Sequence, residues 1–553
     1  MRRHRWLLSL VLVVACGLLA GAASAAEDVK YGGILRVAQP WGTMVNNGNP
    51  FLPPGQNMPA TLSAIYEPLF YINPASGKET PLLGVSYRWS EDSLRLTVQT
   101  RQGVTWNDGR PFSARDVAFT FNYIKQHPVA DLTGIWRGGL ASVEATDDHT
   151  VVFTFSQPNT PLFYYIATLP IVPEHIWSKV EDPAAFTNPQ PVGTGPFMVR
   201  SFTPQSMTVV KNPNYWMKGR PYIDGITFQA VDSNTTVLLM MLRQEIDFTF
   251  AFLPDPDRSY VARNPSVHKY WWPVTNTNIL YVNTAKAPFD SVAFRRAIAM
   301  AIDKQALSEK AYYNTAAPAD PTGIVPAQID EWLEPSVRSR AYSYDPEGAR
   351  ALLAKAGFKW NAAGDLLAPD GSKLPTFNIL VGAGWTDFIT MAQIISQNLE
   401  RLGIHTVIDQ QPWNGYITSL MSGTYDMAIS WGTGSGPTPY YLYYQEFSPE
   451  FSAERIGETA QSNWARFVRP EITEALRRYR ETSDRAVQKE AINTIARVVL
   501  DEVPYIPLTN RTNFLDYNES RFTGWPSDDN PYNAGEASDQ LGALLMYVNV
   551  HLK

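Results

Sequence analysis

Only one of the 553 residues is cysteine, Cys16, and it lies within an apolar N-terminal segment. Its solitude excludes a disulfide framework, a zinc–thiolate centre and a thiol nucleophile from everything after residue 16. Stability must come from burial. Basic clusters are missing as well: Asp and Glu outnumber Lys and Arg by 53 to 46, so the chain is a poor nucleic-acid binder. Beyond the N-terminal segment no run of about 18 uninterrupted apolar residues suggests a membrane span. The nucleophile elbow GxSxG, the zinc motif HExxH and the phosphate-cradling GxxxxGK[ST] are likewise absent. A glycosidase needs paired carboxylates, and so many acids guarantee chance pairs that prove nothing. We therefore expect no enzyme, no cofactor and no metal.

What is present begins with a leader. Met1 to Arg5 is basic, residues 6–19 are apolar, and Ala23-Ser24-Ala25 is a small-x-small cleavage site, the three parts of a secretory signal peptide over residues 1–25. A retained anchor needs about 20 apolar residues, whereas this run gives way to Ala, Gly and Ser before Glu27. Lipidation at Cys16 is a further alternative, though it leaves the apolar residues 17–23 at the new N-terminus. Cleavage removes Arg2, Arg3 and Arg5 and takes the formal net charge from −7 to −10. With 44% hydrophobic and 18% charged residues the body is globular, and its length calls for two or three domains. Sixteen Trp and 27 Tyr exceed packing needs and point to flat contact surfaces.

Along the chain, residues 93–100 alternate as a half-buried strand. Ser113-Ala114-Arg115-Asp116 reads as a capping box opening a helix, and 150–155 is a second strand. Strands follow at 198–202, 208–211 and 226–230, with a helix at 237–243 and a strand starting at 245. From Tyr281 a βαβ rhythm takes over: a long amphipathic helix over 290–311, a helix started by Asp345-Pro346 and ended by Gly357, a strand at 377–381, a helix at 388–402 closed by Gly403, and a strand at 404–410. A charged helix over 470–501 leads to a strand at 505–508. There is no internal repeat.

The order of short motifs resembles the extracytoplasmic solute-binding proteins of ABC importers, in the oligopeptide and dipeptide-binding family (family 5). It is carried by YGGILR at 31–36, IYEPL at 65–69, QGVTWNDG at 102–109 with PFSARDV at 111–117, GTGPF at 193–197, NPNYW at 212–216, QEID at 244–247, FRRAI at 294–298 with AID at 301–303, and YDPEGAR at 344–350. The resemblance implies a mixed α/β, two-lobed, three-domain periplasmic-binding-protein fold that closes over its ligand and delivers it to permease subunits in the inner membrane. It implies a periplasmic monomer. One discontinuous domain is expected over 26–66, 190–272 and 511–553, an inserted domain over 67–189, and a second lobe over 273–510, hinged near 272 and 510.

The ligand is read from individual residues. Peptide binders of this family carry an Asp shortly after a Trp in the second lobe, which pairs with the ligand's ammonium. The corresponding stretch here keeps Trp431 but has Gly434 at the acidic position. An Arg that fixes the ligand carboxylate in some members is replaced in Gly382-Ala383-Gly384-Trp385-Thr386-Asp387 by an indole. Pyranose faces stack on indoles while hydroxyls need amide and carboxylate partners. Trp385 with Asp387, Trp413 with Asn414, Trp431, and Trp41 with Asn46, Asn47 and Asn49 offer that pairing. The set is similar to the cello-oligosaccharide binders of the family, as is Asn49-Pro50-Phe51. Tyr440 completes the candidate ligand contacts. An oligosaccharide such as a β-glucoside is the favoured ligand, with an oligopeptide as the alternative. Trp106 and Trp216 belong to the family motifs and are expected to pack.

Overall fold

Two neighbouring strands cross together from one sheet into another, and this places everything else. The structure, a computed structural model, describes residues 29–40, 42–52, 56–535, 537 and 540–553. The leader, Cys16 and Trp41 lie outside them. His268–Trp271 pairs antiparallel with Leu515–Asn518 at the edge of a seven-stranded sheet; a few residues on, Val274–Val282 pairs antiparallel with Tyr505–Thr512 in a five-stranded sheet. The chain therefore passes between the lobes twice, side by side. Trp271 and Trp272 stiffen the crossing: their indole N–H groups donate to Asp528 Oδ1 (2.7 Å) and Asp516 Oδ1 (3.1 Å). Trp272 also packs against Phe514 on the return strand at 4.9 Å.

In the seven-stranded sheet Ile34–Gln39 is central, parallel to Gly225–Ala230 and Phe248–Thr249; Ser206–Lys211 and Phe197–Thr203 continue it. The five-stranded sheet runs Thr406–Gln411, Phe377–Gly382, Met427–Trp431, Val274–Val282, Tyr505–Thr512. Its first three strands are parallel and connected through helices; the two inner ones, Phe377–Gly382 and Met427–Trp431, read as nearly continuous apolar runs, whereas the edge strand Thr406–Gln411 is half polar. A separate antiparallel sheet of Gly84–Trp89, Arg95–Thr100, Thr150–Phe155 and Leu140–Asp147 packs against helix Ala114–Gln126.

The capping box forms as read: Ser113 Oγ accepts from the Arg115 amide and Asp116 Oδ2 from the Ser113 amide. Asp345 caps Pro346–Lys355, and Gly357 follows with φ of +93°. Two expected helices are corrected. The span 290–311 is two helices, Val292–Ala301 and Lys304–Ala311. Asp303 divides them because its carboxylate accepts the Ala306 amide while its own amide donates to Asn398, a start signal inside an unbroken apolar stripe. The span 470–501 is likewise Pro470–Arg480 and Arg485–Glu502, restarted by Asp484, which accepts the Ala486 amide.

The motifs IYEPL and NPNYW meet at one buried carboxylate. Glu67 accepts hydrogen bonds from the Tyr215 hydroxyl (2.9 Å) and the Trp216 indole (3.0 Å), and burial pushes its carboxyl up to about 7. Trp106 is fully buried. Across the cleft the lobes touch: the Tyr441 hydroxyl donates to the Pro161 carbonyl (3.2 Å), Gln445 Nε2 to the Tyr165 hydroxyl (3.3 Å), and Asn234 Nδ2 to Thr386 Oγ1 (3.2 Å). Among the described residues no helix is long and apolar enough to cross a membrane.

Candidate functional site

Three tryptophans from three separate strand ends converge between the lobes. Trp385 follows strand Phe377–Gly382 and immediately precedes helix Thr386–Glu400. Trp413 opens the helix after Thr406–Gln411, and Trp431 ends Met427–Trp431. All three lie at the carboxyl ends of parallel strands, where open α/β sheets form their crevices. Ring centroids are 6.0 Å apart for Trp385 to Trp413 and for Trp385 to Trp431, and 6.2 Å for Trp413 to Trp431, the last pair stacked with nearly parallel planes at 10°. Gly382 permits this approach, since a Cβ there meets the Trp385 ring at 2.4 Å.

The indoles separate connected spaces. A cavity of about 460 Å³ lies on one side, lined by Phe51, Leu62, Tyr165, Trp413, Trp431, Gly434 and others from both lobes; this is the size of a ligand pocket. A smaller chamber of about 210 Å³ shares Leu62, Trp413 and Trp431 with it and adds Trp385, Asp387, Asn278, Tyr312 and Arg511. A third space of about 230 Å³ borders Trp413, Asn414 and Asn57.

The loop after Trp431 is pinned by a buried acid. Glu446 Oε1 accepts from the Tyr281 hydroxyl (2.6 Å), the Thr433 amide (2.7 Å) and the Thr433 hydroxyl (2.8 Å). Burial nonetheless pushes its carboxyl up to about 7. Asn276 adds a bond to the Gly432 carbonyl at 2.8 Å. The loop is thereby pressed onto helix Pro439–Phe447 so closely that a Cβ on Gly434 lies 2.1 Å from the Tyr441 carbonyl oxygen. No acidic side chain fits at 434 in this backbone.

In the small chamber Asp387 Oδ2 accepts from the Tyr312 hydroxyl (3.0 Å), whose oxygen in turn accepts from Asn278 Nδ2 (3.0 Å). Burial raises the Asp387 carboxyl to about 6. Arg511, on strand Tyr505–Thr512, spreads its guanidinium over the Trp431 ring 4.8 Å from the centroid, and burial holds its pKa below the usual value. Its guanidinium makes no hydrogen bond or ion pair among the described residues. Asn278 Oδ1 and Asn57 Nδ2 are also buried there without partners among the described residues.

The sequence candidates thus separate. Trp385, Trp413, Trp431, Asp387, Gly434 and Phe51 line the cavities, Phe51 standing edge-on to Trp177 at 5.1 Å. Three others do not. Asn49 is fully buried, its amide donating to the Pro183 and Phe186 carbonyls and accepting from the Phe51 amide, so it fixes a loop. Asn47 Oδ1 accepts from the Asn49 amide and belongs to the same turn. Tyr440 packs on Tyr479 at 4.5 Å, in the core behind the loop; its neighbour Tyr441 faces the other lobe instead. Arg511, Tyr312 and Asn278 escaped sequence reasoning because none sits in a motif.

Comparisons with known proteins agree with this architecture. A di/tripeptide-binding protein of Pseudomonas aeruginosa is 27% identical over 483 residues, covering 82% of this chain and 86% of that one. The nickel-binding periplasmic protein of Escherichia coli is 27% identical over 523 residues, covering 91% and 92%. Among solved structures, a mannohexaose-bound periplasmic oligopeptide-binding protein of Thermotoga maritima superposes with a TM-score of 0.88 at 27% identity, covering 94% and 98%. Among the described residues no group of three or more His, Cys, Asp or Glu is placed to hold a metal ion. Residues 78–453 match the profile of bacterial extracellular solute-binding proteins, family 5 Middle, and the chain belongs to that family.

Proposed function

We propose that this protein is the solute-capturing component of an ABC importer and that its ligand is an oligosaccharide held between the lobes. The observation carrying this reading is the group of three indoles flanking adjoining cavities, together with a loop whose glycine has no room for the ammonium-binding acid. Indole faces match the C–H faces of pyranose rings, and stacking contributes without a charged ligand end. The mannohexaose-bound relative supports the same choice. The lobes are taken as 26–66, 190–272 and 511–553 with the insert 67–189, against 273–510. Closure over the guest about the paired crossover strands then presents one defined surface to the permease.

A second reading, a short peptide, draws on the di/tripeptide-binding relative and on the presence of both Arg511 and Asp387 in the small chamber. Titration calorimetry decides between them: β-1,4-linked gluco- and manno-tetraoses are expected to bind at micromolar dissociation constants, about −8 kcal/mol, and di- to pentapeptides far more weakly. Tighter binding of the peptides overturns the proposal.

A further inference from the structure

The small chamber has a composition that the larger cavity lacks. Its hinge-side wall is apolar, built from Phe250, Phe252 and Phe514, with Trp272 tilted against Phe252 and edge-on to Phe514. Against that wall stand an arginine with five unused N–H donors, an aspartate with one oxygen committed to Tyr312, and the unpartnered buried atoms Asn278 Oδ1 and Asn57 Nδ2. A half-buried guanidinium on the chamber wall, with no acceptor among the described residues, is open to a guest. Retaining one here makes sense where an incoming group supplies the acceptor. The same guest must also donate, because Asp387 and Asn278 offer acceptor oxygens.

A carboxylate satisfies Arg511 but only repels Asp387, and an ammonium does the reverse. Hydroxyl groups donate and accept at once, so two adjacent ring hydroxyls satisfy both. The chamber also fits one ring in its other aspect, with Trp385 and Trp431 as flat walls. At about 210 Å³ it is less than half the size of its neighbour.

We infer that this chamber is an end subsite: it takes the terminal pyranose of the ligand, with adjacent hydroxyls accepting from Arg511 and donating to Asp387, while the rest of the chain extends past Trp413 and Trp431 into the larger cavity. This rests on the oligosaccharide reading. The ligand is then recognised from one free chain end, and the protein discriminates against oligomers whose end is blocked. Arg511 is the specificity-determining residue, and the hinge lies directly behind it, on the strand that leaves the second lobe at Thr512.

The test is calorimetric, on the full mature protein, with three forms each of gluco- and manno-tetraose: unmodified, methylated at the reducing-end anomeric oxygen, and methylated at the non-reducing-end 4-hydroxyl. One of the two blocks is expected to weaken binding at least tenfold and the other to change it less than twofold, and Arg511→Met is expected to erase the difference. The melting temperature of ligand-free Arg511→Met should equal or exceed that of the parent, since an unpartnered guanidinium leaves; a fall marks Arg511 as a structural residue and overturns the assignment. Equal binding of all three forms overturns the end subsite but leaves the oligosaccharide reading intact. Failure of every tetraose, with trialanine binding in an Arg511-dependent way, overturns both.

Discussion

Truncation of Trp431 to alanine tests the site most directly. Its indole faces both cavities, lies parallel to Trp413 at 6.2 Å, and carries the Arg511 guanidinium on its ring. Its backbone, by contrast, is held independently, paired to Asn278 in the sheet and followed by the Glu446-pinned loop. The side chain is only partly buried, so removing it costs stability less than the ~3–5 kcal/mol of a fully buried Trp→Ala change. A central aromatic anchor contributes about 2 kcal/mol or more to binding, which at 1.4 kcal/mol per decade is roughly a thirtyfold weaker dissociation constant. Calorimetry with the best-binding tetraose, alongside thermal melting of the empty protein, separates the two effects. A dissociation constant within twofold of the parent refutes the placement of the ligand; a drop in melting temperature as large as that of Trp106→Ala refutes the claim that Trp431 is spare to the fold.

Other outcomes follow from the same geometry. Gly434→Asp is expected to lower the melting temperature and not to create peptide binding, because its Cβ meets the Tyr441 carbonyl at 2.1 Å; a stable, peptide-binding variant contradicts this. Glu67 and Glu446 both have carboxyls raised from 4.5 to about 7 in the folded state. A raised carboxyl costs nothing below the unfolded value and its full penalty above the folded one, so stability should fall as pH rises from about 4.5 to 7, by up to ~3 kcal/mol per group. Melting temperatures across that range, with Glu446→Gln flattening part of the slope, check the sign. Trp272→Phe removes the donor to the buried Asp516 and should destabilise by ~1–3 kcal/mol, read by urea unfolding; an unchanged midpoint contradicts the role given to that bond.

The parts of the fold written in local signals were legible. Ser113 and Asp345 announce their helices because capping is a property of four consecutive residues. The breaks at Asp303 and Asp484 were missed although each is itself a cap: at Asp303 an apolar stripe runs on across the restart, and at Asp484 the polar stretch 480–485 blends into a helix read only as charged. In the site, Trp385 and Trp431 stood out because they occupy segments that hold the ligand in the resembled peptide binders, and Trp413 because an amide, Asn414, stands beside its indole. Tyr440 and Tyr441 show the limit. Helix Pro439–Phe447 is aromatic on nearly every face, so the sequence carries no period to say which tyrosine looks inward. Arg511 was illegible for another reason: its meaning is the absence of a partner, a fact about three dimensions only.

The ladder partners of the first described strand carry a consequence for assembly. Ile34–Gln39 sits between Gly225–Ala230 and Phe248–Thr249, Leu515–Asn518 flanks the latter, and Lys30 bridges Leu552. One lobe thus stays incomplete until the last few residues have emerged, whereas the other can be finished from a single uninterrupted stretch. A cut near residue 510 removes Leu515–Asn518, which leaves His268–Trp271 without its ladder partner and Phe248–Thr249 as a bare edge.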